Sequence, residues 1–278
     1  MGILAEAQHQ VYDSAERAHP FIDEFRDLIQ YRELLKQFIS RAIKTRYKRS
    51  VLGVTWTMLN PLLTMLVLTI VFSNMFRFQI EHYPIYILSG LTAWTFFTSA
   101  TIGSMNDMVW NSSLLQRIFV PKSIFVVSAV GTSIINYGLV LVPMLLIMLI
   151  TNTPIRPAMF SIPLALLIFA LFTMGIGFIL ATIAVYFADI VPIYEVITMI
   201  LFYGTAIIFP KEIIPESFQF IIWINPITYM IELFRLPIYQ GVMPDLTTYL
   251  IAIASAIITL LLGWTIFTSK INEYAYRT

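Results

Sequence analysis

Long apolar runs without a single charge alternate with short charged intervals along this chain. The runs extend from Ser50 to Phe76, His82 to Asn106, Ser123 to Ile155, Pro157 to Ala188 and Leu246 to Ser269, with a shorter one from Val196 to Pro210. An ionised group at the centre of a bilayer costs at least ~2.5–3.5 kcal/mol, so spanning helices exclude it. Each long run exceeds the ~20 helical residues that cross a ~30 Å hydrocarbon core. Six transmembrane helices are predicted, with Glu195 at an interface.

Two segments break this pattern. Ahead of the first run, Leu34, Leu35, Phe38, Ile39, Ala42 and Ile43 recur at helical spacing, while Lys36, Arg41, Lys44 and Lys48 take the other side. This describes a basic amphipathic helix lying in the headgroup plane near anionic lipid, or more plainly a topology anchor. Between Pro210 and Leu246 the chain is apolar but interrupted by Pro215, Pro226, Pro237 and Pro244, and it carries Lys211, Glu212, Glu216, Glu232, Arg235 and Asp245. Proline removes an amide donor and clashes with the preceding turn. Two short helices that dip into the membrane and return are therefore predicted. The competing arrangement is a seventh span, Phe218 to Phe234, with the carboxyl terminus outside. The predicted fold class is all-α: a polytopic membrane protein with six spans, an amino-terminal amphipathic interfacial helix and a re-entrant helical pair before the last span. Its divisions are a cytoplasmic segment over residues 1–50 and a transmembrane domain over 51–278, with the re-entrant part at about 210–245.

Composition agrees: 58% of residues are hydrophobic and 12% charged, and the mean hydropathy is +0.80, whereas a soluble domain is about 25% charged. The formal net charge of +1 points to no nucleic-acid partner. With no cysteine there are no disulfides, thiolate metal sites or cysteine nucleophiles. The first 50 residues show no signal-peptide core, which places the amino terminus in the cytoplasm. Thirteen Lys and Arg then fall inside and four, Arg77, Arg156, Lys211 and Arg235, outside, in keeping with the positive-inside rule. Both termini are predicted to be cytoplasmic, in a multi-pass membrane protein.

The chemistry of common active sites is missing. None of the 11 glycines precedes a lysine, so there is no P-loop. Zinc-binding His-Glu-x-x-His, a Gly-x-Ser-x-Gly elbow and a metal-holding Asp-x-Asp are also missing. No acid or histidine occupies a span centre, where a proton-coupled carrier would need one; Asp189 and Glu195 read as solvated charges at the inner edge. Energy for transport must come from a partner. Aromatics, 14% of the chain, cluster near span ends at Trp56, Trp94, Phe96, Phe97, Tyr203, Trp223 and Tyr229. They read as interfacial belt residues, with the sharper alternative that some face a pathway where sugars stack. Gly177, Ala181, Ala184 and Ala188 have a spacing that permits close helix packing.

The run Arg46-Tyr47-Lys48-Arg49-Ser50-Val51-Leu52-Gly53-Val54, with Trp56 and Asn60-Pro61-Leu62-Leu63, resembles the first-span signature of ABC type-2 polysaccharide-export permeases. Gly90 with Trp94-Thr95-Phe96-Phe97, Leu115 with Pro121 and Lys122, and Asn225-Pro226-Ile227-Thr228-Tyr229 with Glu232 and Arg235 extend the resemblance collinearly over about residues 31 to 270. It implies a non-enzymatic subunit that forms a homodimer and pairs with two ATP-binding cassette subunits. ATP and magnesium would lie on those partners, and this chain would bind no cofactor or metal. The substrate class implied is a lipid-linked glycan: O-antigen, capsule or teichoic acid. By the same resemblance, Arg41, Lys44, Arg46, Lys48 and Arg49 would form a substrate entrance. Phe72, Trp94, Phe97, Tyr203, Phe209, Trp223, Asn225, Pro226, Tyr229, Glu232 and Arg235 would form the path and outer gate. Asn111, Leu114, Leu115, Arg117, Pro121, Lys122, Asp189 and Ile190 would couple to the ATPase. One departure is Phe187-Ala188-Asp189-Ile190, where the family often has arginine at the second position, so an arginine contact there is not carried over.

The nearest competing reading is a permease of the same class for a drug or simple lipid. More distant are a stand-alone ion-coupled flippase, which needs a mid-span acid, and a membrane glycosyltransferase, which needs clustered carboxylates at one membrane face.

Overall fold

The computed structural model describes residues 20–48, 50–75, 81–111, 120–187 and 189–271. Among them there is helix and no strand. The helices are α1 (Pro20–Gln30), α2 (Arg32–Tyr47), α3 (Thr55–Met75), α4 (Tyr83–Trp110), α5 (Ser123–Ile150), α6 (Ile162–Tyr186), α7 (Ile190–Gly204), α8 (Glu216–Ile224), α9 (Pro226–Arg235) and α10 (Leu246–Ser269). Five of them, α3 to α6 and α10, are long and apolar enough to span a bilayer. They run alternately between two ends of the bundle. The basal end carries α1, α2 and the start of α5; the apical end carries the starts of α4 and α10 with α8 and α9 between.

Helix α4 is the hub, with α3, α5, α6, α7 and α9 packed around it. At mid-height an aromatic layer ties these elements together. Phe97 stacks on Phe169 at 6.0 Å, Phe96 lies 5.2 Å from Phe169, and Tyr137 of α5 meets Phe234 of α9 at 5.2 Å. Offset and edge-on ring pairs of this kind add about 0.5–1.5 kcal/mol beyond burial. The α6/α10 contact combines rings, Phe178 lying 5.1 and 5.0 Å from Trp264 and Phe267, with one level at which the two backbones meet without side chains. A Cβ on Gly175 would collide with the Thr259 backbone, and one on Gly263 with the backbone of Gly175. Small residues at such crossings let two backbones touch, which is how helices associate where lipid is as apolar as leucine. Gly177, from the predicted small-residue row, likewise admits Ser104 and Val126, at 2.9 and 3.2 Å from a built Cβ.

Several boundaries differ from the sequence reading. The first run becomes helix only at Thr55, after Gly53 takes a left-handed φ of 52°. The span expected from Val196 instead begins at Ile190, because Pro192 sits in the first turn, where no amide donor is required. That helix ends at Gly204, and at 15 residues and 1.5 Å per residue it reaches about 22 Å, short of a full crossing. Glu195 therefore lies within α7, on an exposed face. The proline-broken segment turns by 85° between α8 and α9. A straight seventh span from Phe218 to Phe234 is excluded, and two short helices form there as predicted.

Arg32–Tyr47 is helical as α2. Its apolar stripe closes on protein, with Phe38 edge-on to Phe125 at 5.4 Å and Leu34 and Leu35 beside it. Ahead of it stands α1, where Phe21, Ile22, Phe25, Leu28 and Ile29 recur at helical spacing. Phe21 and Phe25 of α1 pack edge-on against Trp264 at 6.0 and 6.4 Å, and the Trp264 indole donates to the Phe21 carbonyl at 3.2 Å.

Candidate functional site

The densest polar constellation lies at the apical end, where α7 stops. Ala206 takes a left-handed φ of 50°, and the chain then presents four carbonyls in succession to the protein interior, with Ala206, Ile207 and Ile208 all buried. Buried carbonyls require partners, and three side chains supply them. Arg235 donates from one terminal nitrogen to Ala206 O and from the other to Ile207 O, both at 3.0 Å. The Tyr83 hydroxyl donates to Ile208 O at 2.8 Å, and that of Tyr86 to Phe209 O at 3.0 Å. Arg235 also donates to the Tyr86 hydroxyl at 3.0 Å and lies 4.1 Å from that ring's centroid, a cation–π contact. A cation that is always charged is thus held by carbonyl dipoles and a ring face. Gly90 makes this possible, since a Cβ there would strike the guanidinium.

Beside this clamp, Lys211 pairs with Glu232 at 2.8 Å, and the two line a cavity of about 430 Å³ together with Glu81, Arg235 and Tyr239. Asn225 and Pro226 build the corner of the bent pair. The Asn225 side chain accepts from Ile227 N–H at 3.0 Å as the α9 cap, and Pro226 occupies the first helical position. Tyr229 closes the corner by donating to Trp223 O at 3.1 Å.

The structure separates the remaining predicted path residues. Trp94 and Phe97 are core residues, 7% and 2% exposed, and Phe72 packs against that core. Trp223 and Tyr203 are exposed, and Phe209 is half-buried. Thus Glu232, Arg235 and Phe209 gather at the clamp and Trp223, Asn225, Pro226 and Tyr229 at the corner, while Trp94 and Phe97 sit deeper and Tyr203 faces outward.

At the basal end, Arg41, Lys44, Arg46 and Lys48 are all exposed, and Arg41 and Lys44 share a groove with Glu33 and Lys36. Glu33 and Lys36 pair at 2.8 Å, and the ammonium holds the Glu33 carboxyl below its ordinary range. Asn111 ends α4, its amide donating to Asp107 O at 2.8 Å. Pro121 and Lys122 lead into α5, with Lys122 donating to Ile271 O. Asp189 and Ile190 start α7. Arg49, Leu114, Leu115 and Arg117 lie outside the described residues.

Sequence reasoning missed Glu24. It is 1% exposed and accepts from Ser123 N–H at 2.9 Å, so a carboxylate from α1 caps the positive end of α5. Its signal was an acid flanked by Phe21, Ile22 and Phe25. Tyr83 and Tyr86 carried no local signal, because their partners are 125 and 123 residues away. Among the described residues no group of three His, Cys, Asp or Glu is placed to hold a metal ion.

Comparison with known proteins adds the following. Residues 33–239 match the ABC-2 type transporter family. The O-antigen export system permease protein RfbA of Klebsiella pneumoniae is 30% identical over 205 residues, covering 73% of this chain and 79% of that protein. The protein of the same name from Myxococcus xanthus is 29% identical over 252 residues, covering 90% and 97%. The polysialic acid transport protein KpsM of Escherichia coli is 21% identical over 234 residues, covering 83% and 90%.

Proposed function

The chain belongs to the ABC-2 type transporter family, and from that premise we propose that it is the membrane permease subunit of an ATP-driven exporter that carries a lipid-linked polysaccharide across the bacterial inner membrane. O-antigen and capsule are the substrate classes favoured by the relatives, with teichoic acid as a further member of the same chemical class. The observation that carries this reading is the collinear likeness to an O-antigen export permease over 90% of the chain.

In this reading two copies of the chain pair, because the helices of one subunit hardly enclose a path wide enough for a hydrated polymer. The exposed apolar residues of α3, α7 and α10, such as Leu66, Ile200 and Ile257, then face lipid or the second copy. Two ATP-binding subunits dock at the basal end, which is cytoplasmic, on the segment from Asn111 to Lys122 and on Asp189 and Ile190. The exposed cations of α2 guide the anionic head of the lipid carrier toward the entrance. ATP and its magnesium stay on the partner subunits, and their closure biases the helices between two arrangements. The α8/α9 corner and the Arg235 clamp form the outer gate.

The test is assembly in lipid nanodiscs with a candidate ATP-binding subunit, followed by ATP hydrolysis with and without lipid-linked glycan. Stable assembly with glycan-stimulated turnover supports the exporter. Assembly stimulated only by a simple lipid or drug shifts the substrate class, and failure to assemble with any such subunit rejects the reading.

A further inference from the structure

A second cavity, of about 380 Å³, lies between α2, α3, α4 and α5, away from the apical clamp. Its rim is basal, at Arg46 and Trp56, and it deepens past Asn60 to Asn136 and Tyr137. Asn136 is thirteen residues along α5 from Ser123, about 20 Å at 1.5 Å per residue, so the cavity reaches the middle of the bundle.

Polar side chains at that depth need partners, because hydrocarbon supplies none. Most hydroxyls of the bundle meet this demand by donating to a carbonyl three or four residues earlier, as Thr101, Ser104 and Thr132 do at 2.7 to 2.9 Å. Asn136 does not: its side-chain oxygen is buried with no hydrogen-bond partner. Tyr137, 3% exposed, directs its hydroxyl toward Thr92, yet completes no well-formed bond. Of these two polar groups on one cavity wall, the Asn136 oxygen has no protein partner and the Tyr137 hydroxyl has Thr92 alone.

The lining specifies what satisfies them. Thr57, Asn60, Thr95, Ser99, Ser133 and Asn136 offer amides and hydroxyls, groups that both donate and accept. Trp56, Phe96 and Tyr137 contribute ring surface. The lining holds one cation, Arg46, and no acid; Asp107 lies within electrostatic reach of Arg46 but outside the wall. Intermixed donors and acceptors beside rings fit a hydroxyl-bearing ring or polyol, and a lone guanidinium at the rim fits one phosphate. The volume falls within the ~300–1,000 Å³ of small-molecule sites. The rim is open, since Trp56 is 46% exposed and Arg46 and Asn60 are exposed as well.

We propose that this cavity binds the head group of a membrane lipid in which a sugar or polyol is joined to a single phosphate, the hydroxyls lodged at Asn60, Asn136 and Tyr137 and the phosphate at Arg46. Two sources carry that chemistry: a bulk phospholipid such as phosphatidylglycerol, and a sugar linked through phosphate to a polyprenyl chain. Retention of the polyprenyl phosphosugar rests on the export reading above, whereas retention of phosphatidylglycerol is a property of the subunit alone.

The test is native mass spectrometry of the purified full chain, released from detergent with phosphatidylglycerol, a polyprenyl phosphosugar or phosphatidylethanolamine. Retention of either of the first two over phosphatidylethanolamine is expected, and the one retained identifies the source. Asn136→Leu is expected to lower that retention about tenfold, the equivalent of one well-made hydrogen bond. Tyr137→Phe should weaken it less while leaving the ring in the aromatic core, which guards against misfolding as the cause. Arg46→Gln should weaken the phosphate-bearing lipids but not an uncharged glycolipid. Equal retention of all three lipids by the wild-type chain, or unchanged retention in both Asn136→Leu and Tyr137→Phe, would mean a cavity that holds water only and would overturn the proposal.

Discussion

Helices α3 and α4 are neighbours of similar apolar character, and they live in opposite environments. In their most apolar windows, 78% of the residues of α4 are buried and 11% of those of α3. Hydrophobicity does not separate them. What does is the presence of glycine and alanine, which α4 has and α3 lacks. Buried α4 is punctuated by Ser89, Gly90, Thr92, Ala93, Ala100, Thr101 and Ser104, whereas α3 presents Leu63, Leu66, Val67, Ile70 and Val71 outward. In water a protein core is marked by its large apolar residues. In a bilayer the solvent is itself apolar, so large residues stand on both sides, Trp94, Phe96 and Phe97 inward and those of α3 outward, and it is the small residues that mark the contact.

The contrast breaks down most visibly if the hub tolerates truncation. Phe97→Ala in α4 removes a ring stacked on Phe169 and tilted against Phe172 and should cost about 3 kcal/mol, read as a lowered thermal midpoint in detergent. An unchanged midpoint would mean that α4 does not organise the bundle. Next in size, Arg235→Leu strips the Ala206 and Ile207 carbonyls of their donors, for a loss of about 2 kcal/mol. Because the chain has no native cysteine, a cysteine placed at Ile208 reports the event through faster maleimide labelling. Arg235→Lys should not restore protection, since an ammonium lacks the planar fork that reaches two carbonyls.

A smaller effect is expected at the basal end. Glu24→Met leaves the Ser123 amide without its acceptor, for about 1 kcal/mol, and should hasten proteolysis between α1 and α2. Glu24→Gln keeps an acceptor oxygen and should largely restore resistance. Smallest is Val67→Ala on α3, where a surface truncation stays within about 0.5 kcal/mol. A cost there comparable to that of Phe97→Ala would erase the contrast, by showing that a second subunit covers this face.

The membrane-spanning runs were readable because exclusion of charge is a local rule, and the bent pair because Pro226 and its neighbours announce themselves. Helix α7 was misplaced by six residues because Glu195 looked like a boundary when it only needed an exposed face. Trp94 and Phe97 were expected beside a pathway since aromatic residues look alike in sequence whether they belt a membrane or fill a core. The apical clamp was half legible: Arg235 and Glu232 stood out, but backbone carbonyls have no side-chain signature and the tyrosines come from a distant helix. Glu24 was hidden among many charges, and only the structure shows it buried.

The meeting of Gly175 and Gly263 carries a mechanical implication. Where helices touch through interdigitated side chains, the ridges lock their crossing angle. Two glycines facing one another provide no ridges, only a close stop. The contact therefore works as a close stop: α6 and α10 can neither slip closer nor gain bulk at that level, while one turn toward the basal end Phe178, seated between Trp264 and Phe267, supplies the ridge that sets their crossing.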